Sequence, residues 1–328
     1  MSECRWVKPK LVCKVAFLEW TDAGHLRHCT FVGMRDDKKA TQWFVRLESL
    51  KLPPKTPFRT PDMAVYAFEF RMSFKKRSYT EWLECLEAAR AWLEINHGRV
   101  AQYRQLITDF YEKGVRSPAH FLAVGESWEI VRLSGLWKDR VVAFPGLTEK
   151  LRKVFAKGPA LREEENLTTA SNRPRNDAFV YLVAGTLLSA GVHVVAVDGT
   201  VARNECCRSE ADVTFRWEDL LINVECKRPQ SQAGLGKLTK EARGQIEDPS
   251  RGGHHGVIAL DCSVLVRPRW NLLECDSEKE AVSSRESVFD ELQGSISPKI
   301  RSQFARSILG FILFAKVPAK IRVYTSPL

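Results

Sequence analysis

The 328-residue chain lacks the marks of secreted, zinc-binding and membrane-spanning proteins. Its nine cysteines form no CxxC pair and have no regular spacing, which argues against both a disulfide framework and a zinc site. The first residues contain no apolar signal segment. The longest apolar run, residues 308–315, is too short to cross a bilayer and is typical of a core element. We therefore expect a cytoplasmic protein without membrane contacts.

Basic residues exceed acidic ones, and the formal net charge is +10 at pH 7. The excess is strongest in the first 60 residues, where lysines and arginines clearly outnumber the nearby acids. A basic surface raises the local concentration of phosphates and favours non-specific binding to DNA. The composition therefore supports DNA as a partner, although many basic proteins bind no nucleic acid.

The chain length suggests two or three domains, and its turn signals suggest where they meet. Residues 52–61 contain four prolines, so we interpret residues 51–62 as a linker between an N-terminal segment, 1–50, and the rest. Residues 63–165 repeat apolar side chains at helical spacing, which predicts helices near 82–93, 100–113, 148–156 and from 118 onward. Polar residues 163–174 form the next boundary, which leaves a C-terminal domain at 172–328.

The most informative residues lie between positions 209 and 229. Two segments rich in β-branched and aromatic residues, 209–217 and 221–229, flank a short acidic turn, a pattern that predicts a β-hairpin. Such a hairpin brings Asp212, at the start of one strand, beside Glu225, near the end of the other. Because strand side chains alternate, Glu225 and Lys227 project from the same face.

Two carboxylates and one lysine at a sheet end are what metal-dependent phosphodiester hydrolysis requires. The carboxylates are hard oxygen ligands for Mg²⁺ (or Mn²⁺), and the lysine is a cation for the attacking water or the scissile phosphate. The alternative is a surface hairpin with solvated charges. The apolar run 220–224 argues against this alternative, since charged side chains at the end of a buried strand are costly unless they are paired or metal-bound.

At these residues the chain resembles the PD-(D/E)XK, or restriction endonuclease-like, nuclease superfamily. The core of that family is a helix, three strands, a second helix and a further strand. The order expected here is similar: a helix at 176–190, a strand at 192–197, the hairpin, a helix at 236–248 and a strand at 256–261. No proline precedes Asp212, which departs from the common motif. The resemblance implies an α/β, multi-domain (α+β) protein with a restriction-endonuclease-like core at its C-terminus.

The resemblance also implies a role for each site residue. Asp212 and Glu225 would hold the metal, with the main-chain carbonyl of Cys226 as a further ligand. Lys227 would orient the water or stabilise developing charge. Gln245, on the second helix, would fix the water or a phosphate. Asp177 is the nearest match to an acid on the first helix, and would bind a second metal or hold Lys227.

The N-terminal segment carries a second resemblance. Apolar side chains alternate along residues 11–17, and a turn signal at 21–24 precedes a partner segment at 25–38, so we predict a hairpin. Four short motifs lie in this region: Trp6-Val7-Lys8-Pro9, Glu19-Trp20-Thr21, Leu26-Arg27-His28 and Arg35-Asp36-Asp37-Lys38. With these motifs, residues 5–45 resemble the end of the OB-fold domain of bacterial ATP-dependent DNA ligases. The resemblance implies that Arg35 and Lys38 contact phosphates, with Asp37 supporting them. The alternative for both cations is an exposed basic hairpin end.

Ligation by this chain alone is not expected. Adenylyl transfer needs a nucleophilic lysine in a Lys-x-Asp-Gly sequence. The only Asp-Gly dipeptide, Asp198-Gly199, has Ala196 at the lysine position. We also expect no nucleotidyltransferase domain ahead of residue 1, so the segment is interpreted as a ligase-derived fragment.

These patterns together favour an Mg²⁺-dependent DNA nuclease in repair or defence. Two alternatives stay open: a nuclease fold that binds DNA without catalysis, and a ligase C-terminal-domain protein that assists a separately encoded ligase or repair protein.

For the last part of the chain, we expect helix or loop at 276–294, a helix at 296–316 and an edge strand at 319–324.

Overall fold

The computed structural model describes residues 79–321, except 116, 162–163, 166–171, 208, 252–254, 267–272, 302, 304, 306 and 317–318, and four short strands between residues 13 and 34. The chain divides into two compact units, Met1–Arg71 and Met72–Leu328. Among the described residues, no helix has both the length and the apolar character needed to cross a membrane.

The first unit contains antiparallel strand pairs. Strand β1 (Cys13–Ala16) pairs with β4 (Thr30–Met34), and β2 (Glu19–Trp20) pairs with β3 (Leu26–Arg27). These nested pairs agree with the hairpin predicted from the alternating pattern. Arg35, Asp37, Lys38 and the linker at 51–62 lie outside the described residues.

The second unit begins with four helices. They are α1 (Tyr79–Leu93), α2 (Arg99–Tyr111), α3 (Pro118–Trp137) and α4 (Leu147–Ala156), as the helical spacing predicted. Oγ of Ser117 accepts the main-chain N–H of His120 and caps α3. Before α2, Gly98 has a φ of 73°, and a Cβ there would collide with the main chain of Ala156, so only glycine fits between α2 and α4.

A six-stranded mixed sheet follows the helices. Its elements, with those that surround it, are α5 (Arg173–Ser189), β5 (His193–Val197), β6 (Thr200–Val201), β7 (Val213–Trp217), β8 (Leu220–Lys227), α6 (Leu235–Glu247), β9 (His255–Asp261), α7 (Ser263–Val266), β10 (Leu273–Cys275), α8 (Glu278–Arg301), β11 (Ile308–Phe314) and β12 (Ala319–Ile321). The strand order is β11-β9-β8-β7-β5-β6. The β11–β9 and β9–β8 pairs are parallel, and the pairs from β8 to β6 are antiparallel. The α/β class is therefore confirmed.

The prediction for the end of the chain was partly wrong. The helix expected at 296–316 ends at Arg301, and the apolar residues after it form strand β11 at the edge of the sheet beside β9. The strand expected to form that edge, β12, pairs instead with β10 in a separate two-stranded sheet. A short apolar run is compatible with either a buried helix or a buried strand. Here the residues form a strand because they pair in parallel with β9.

The two faces of the sheet are covered by different helices. One face packs on α1–α5 in a single hydrophobic core that includes Trp137, Tyr181, Val213 and Val224. The other face packs on α6 and α8 in a second core that includes Ile246, Ile258 and Leu292. The helices of the region 63–165 and the sheet thus share one core. Trp82, Trp92 and Trp128 are partly buried and pack against this core.

Candidate active site

The β7–β8 hairpin places two carboxylates at one end of the sheet. Val213 is paired with Val224, so Asp212 and Glu225 occupy the next positions on the two strands. The main-chain N–H of Cys226 donates to Oδ2 of Asp212 at 2.7 Å. This contact fixes the Asp212 carboxylate against the last residues of β8.

Both carboxyl groups bind protons more tightly than usual. Burial, together with the nearby charge of Asp212, raises the pKa of Glu225 to about 7, although Lys227 and Arg251 oppose this shift. Burial also raises the pKa of Asp212, against the lowering effect of the Cys226 N–H. The Glu225 residue is only 1% exposed. A buried acid beside a half-buried one forms a site that a cation stabilises.

Lys227 lies on the same face as Glu225, as strand alternation requires. Its Nζ is 3.5 Å from Oε2 of Glu225 and donates to Oε1 of Gln245 at 2.5 Å. Glu241, one turn earlier on α6, is 4.0 Å away. The structure therefore brings together Asp212, Glu225, Lys227 and Gln245, four residues selected from the sequence.

Asp177 is close to this group without touching it. It is half-buried on α5, and Nε of Arg173 lies 3.8 Å from its Oδ2. Burial and the charge of Asp198 raise its pKa, with a smaller effect from Asp212. Within the described part of the chain, Asp177 makes no contact with Lys227, so its proposed hold on Lys227 has no support in the geometry.

Asp198 belongs to the same acidic region and was not selected from the sequence. It follows β5, and its main-chain N–H donates to the carbonyl of Asp212 at 2.8 Å. Its carboxylate accepts from Nζ of Lys150 at 2.8 Å and from the hydroxyl of Tyr181 at 3.0 Å. The signal that could have found it is an acid directly after a buried strand.

Arg251 is a second residue that the sequence analysis missed. It lies on a 3-10 turn, Pro249–Arg251, after α6. Its Nη1 is 2.8 Å from Oε1 of Glu225, and its Nη2 donates to the main-chain carbonyl of Glu210. Nothing in its local sequence, an arginine before two glycines, indicates this contact.

The residue after Lys227 points into a buried ionic network. Arg228 lies 3.0 Å from Glu165 and 3.1 Å from Asp261, and it donates to Asn176 at 3.0 Å. Burial alone would lower the pKa of the Arg228 guanidinium, but Asp261 and Glu165 together raise it. These contacts attach the end of β8 to β9 and α5.

The network continues into the helices. Arg175 lies 2.9 Å from Glu165 and 2.5 Å from Glu126, and Lys316 lies 3.1 Å from Glu126. The side chains of Arg175 and Glu126 are almost completely buried. Positive and negative groups therefore alternate along a chain of contacts from the strand ends to α3.

The donor atoms at the hairpin suit magnesium better than a soft metal. Among the described residues, no group of three or more His, Cys, Asp and Glu side chains is arranged to hold a metal ion. Asp212 and Glu225 supply two carboxylates, and Cys226 lies between Glu225 and Lys227 with a main-chain carbonyl to offer. Mg²⁺ is typically held by one or two carboxylates, with water completing its coordination. The residues present fit such an ion.

Comparison with known proteins adds one finding about the first unit. The family model of the ATP dependent DNA ligase C terminal region matches residues 1–38, which include strands β1–β4. No curated protein matches the chain, and no solved structure does. The match links the N-terminal segment to a DNA-related family and confirms the ligase resemblance of that segment.

Proposed function

We propose that this protein is an Mg²⁺-dependent nuclease that hydrolyses DNA phosphodiester bonds. One observation carries the proposal: the half-buried Asp212 and the buried Glu225 meet at a sheet end, with Lys227 on the face of Glu225. The element order α5, β5, β7, β8, α6, β9 agrees with the helix, three strands, helix and strand of the restriction endonuclease-like core.

In this proposal, Asp212 and Glu225 hold the metal, with the main-chain carbonyl of Cys226 as a further ligand. When bound there, such an ion would supply positive charge to neutralise the phosphate and would lower the pKa of a coordinated water molecule. Mn²⁺ has the same preference for oxygen ligands and substitutes for Mg²⁺.

The side chains of Lys227 and Gln245 act on the water and the phosphate. The ammonium of Lys227 has three N–H donors, of which Gln245 accepts one. A second N–H lies toward Glu225, and the third would face the negative charge that develops as water attacks phosphorus and the bond to the leaving sugar oxygen breaks. Gln245 fixes the direction of the ammonium and positions the water or a phosphate oxygen. Asp177, on α5, adds negative charge to the site and would bind a second metal ion.

The N-terminal segment supplies DNA contacts in this proposal. Arg35 and Lys38 bind backbone phosphates, as basic residues at the end of a ligase-like hairpin would. The setting is repair, or defence against foreign DNA, in the cytoplasm.

A second candidate function rests on the match at residues 1–38. In this case the chain is a DNA-binding or accessory module without catalysis, which assists a separately encoded ligase or repair protein. It would bind DNA as the nuclease does, but it would leave every phosphodiester bond intact.

Incubation of the purified protein with linear, circular and nicked DNA separates the two functions. The nuclease proposal predicts cleavage with Mg²⁺ or Mn²⁺ and none with EDTA. Cleavage of circular DNA would assign an endonuclease, and cleavage confined to linear or nicked DNA would assign attack from ends. Binding without cleavage of any of the three would favour the accessory module.

A further inference from the structure

Glu225 already has a cationic partner in the structure. Nη1 of Arg251 lies 2.8 Å from Oε1 of Glu225, while Lys227 is farther away, at 3.5 Å from Oε2. The side chain of Arg251 is 15% exposed and that of Glu225 is 2% exposed, so water screens this ion pair poorly. Arg251 therefore neutralises the carboxylate that the proposed function assigns to the metal.

Arg251 and a divalent cation compete for the negative charge of Glu225. A charge-assisted hydrogen bond occupies Oε1 of the carboxylate. A metal ion held between Asp212 and Glu225 would place two further positive charges beside the guanidinium. In a poorly solvated site this repulsion is strong, so the contact between Arg251 and Glu225 and the binding of the metal oppose each other.

The position of Arg251 allows its side chain to leave while the main chain stays. The 3-10 turn that carries it, Pro249–Arg251, lies between α6 and β9 in the sequence. Both elements are packed closely, because a Cβ on Gly256 in β9 would collide with the carbonyl of Asn223 and with Ile246 of α6. The second contact of Arg251, to the carbonyl of Glu210, does not involve a site carboxylate. An exchange at Glu225 would proceed by rotation of the arginine side chain away from Oε1 of Glu225.

We propose that Arg251 is the counter-ion of Glu225 in the metal-free protein and that a divalent metal displaces it. The ion pair sets the metal concentration at which the site loads, and keeps Glu225 paired when no metal is bound. This inference rests on the proposed function, since it requires Asp212 and Glu225 to bind a metal.

Thermal unfolding of the full chain at increasing MgCl₂, and separately MnCl₂, tests the exchange without any cleavage assay. Arg251→Met removes the competing cation but keeps an apolar stem of similar length. Lys150→Met is the matched control, because Lys150 pairs with Asp198 at 2.8 Å and makes no contact with Glu225 within the described residues. It removes one positive charge from the same acidic region. Glu225→Gln, which removes the proposed ligand, reports whether a shift in melting temperature arises at this site.

The expected result is a half-saturating metal concentration about ten- to a hundredfold lower in Arg251→Met than in the natural chain, as the loss of a competing charged hydrogen bond implies. Lys150→Met should change this concentration by much less. Glu225→Gln should abolish the metal-dependent shift in melting temperature. In EDTA, Arg251→Met should melt below the natural chain.

Two other outcomes overturn the inference, and they differ in what else they affect. If Arg251→Met and Lys150→Met lower the concentration equally, or neither changes it, Arg251 acts only as a distant charge. The proposed function would then stand, because Glu225-dependent metal binding would still be present. If neither the natural chain nor Arg251→Met shows metal binding that depends on Glu225, the inference and the metal site of the proposed function fail together.

Discussion

Nζ of Lys227 donates a 2.5 Å hydrogen bond to Oε1 of Gln245, which joins the end of strand β8 to helix α6. Lys227 also lies 3.5 Å from Glu225. The direction of the ammonium is therefore set by a neutral acceptor on one side and a carboxylate on the other.

Replacing Gln245 with Leu should lower the single-turnover cleavage rate about ten- to a hundredfold, because a hydrogen bond from a charged donor contributes about 1.5–3 kcal/mol. DNA affinity should change little. Arg243→Leu on the same helix is a suitable control, since Arg243 pairs with Glu247 at 2.9 Å, away from Lys227. Equal rates in both variants would exclude Gln245 from the reaction.

Lys227→Ala should reduce turnover much more than DNA affinity. One lysine adds little to a binding surface with many cations, but stabilisation of transition-state charge is worth about 3 kcal/mol, on the order of a hundredfold in rate. Single-turnover rates and binding isotherms at the same salt concentration measure the two effects. If rate and affinity fell in proportion, Lys227 would be an ordinary phosphate contact.

The metal-free protein should lose stability as the pH rises from about 4.5 to 7. Glu225 has a pKa near 7 in the folded protein against an ordinary value of 4.5, so the folded state holds the extra proton within this window. The stabilisation by this proton is therefore complete below pH 4.5 and is lost as the pH rises through 7. The free energy of unfolding should fall by roughly 3 kcal/mol over this window. The raised pKa of Asp212 acts in the same direction.

Urea unfolding in EDTA at a series of pH values measures this loss. Glu225→Gln should flatten the curve, because an amide does not titrate. Saturating Mg²⁺ should flatten it as well, since the bound cation favours the ionised carboxylates. A natural chain whose unfolding free energy rises over this window would contradict the raised pKa of Glu225.

The buried ionic network should be costly to break at one partner. Glu126→Gln leaves Arg175, 2.5 Å away and fully buried, without its full counter-charge. The free energy of unfolding should fall by about 3–5 kcal/mol. Glu87→Gln, which removes the exposed partner of Arg90, should have a much smaller effect. Urea unfolding measures both, and similar values would mean that the network adds no more than a surface pair.

The N-terminal segment should neither accept adenylate from ATP nor allow nick sealing, because no Lys-x-Asp-Gly sequence supplies the covalent lysine. Radiolabelled ATP followed by denaturing electrophoresis measures this directly, and a labelled protein band would favour the ligase interpretation.

Charge reversal at Arg35 and Lys38 should weaken DNA binding and reduce its salt dependence by a slope of roughly one to two.

The site residues that could be predicted from the sequence are those whose positions depend on neighbouring residues in the chain. Asp212, Glu225 and Lys227 follow from hairpin pairing and side-chain alternation along two adjacent strands. Arg251 and Asp198 enter through contacts between distant parts of the chain, 26 residues apart for Arg251 and Glu225 and 48 for Asp198 and Lys150. No periodic pattern reports such contacts.

The same distinction explains the errors in the fold. Helices α1–α6 repeat apolar positions within their own length, so their existence was predictable. Strand β11 was assigned to a helix because its apolar residues have no alternation, and its parallel partner β9 lies far earlier in the chain. Burial of both faces removes the period that distinguishes a strand from a helix.

The most direct test compares Mg²⁺-dependent DNA cleavage by the natural chain, Asp212→Ala and Glu225→Ala, with urea unfolding of each in EDTA as a control for folding. We predict cleavage by the natural chain alone, with both variants still folded in EDTA. Removal of either acid relieves the repulsion between them, and in Glu225→Ala this offsets the loss of the contact with Arg251. Undiminished cleavage by both variants, or no cleavage by a folded natural chain with Mg²⁺ or Mn²⁺, would contradict the assignment of this hairpin as a nuclease site.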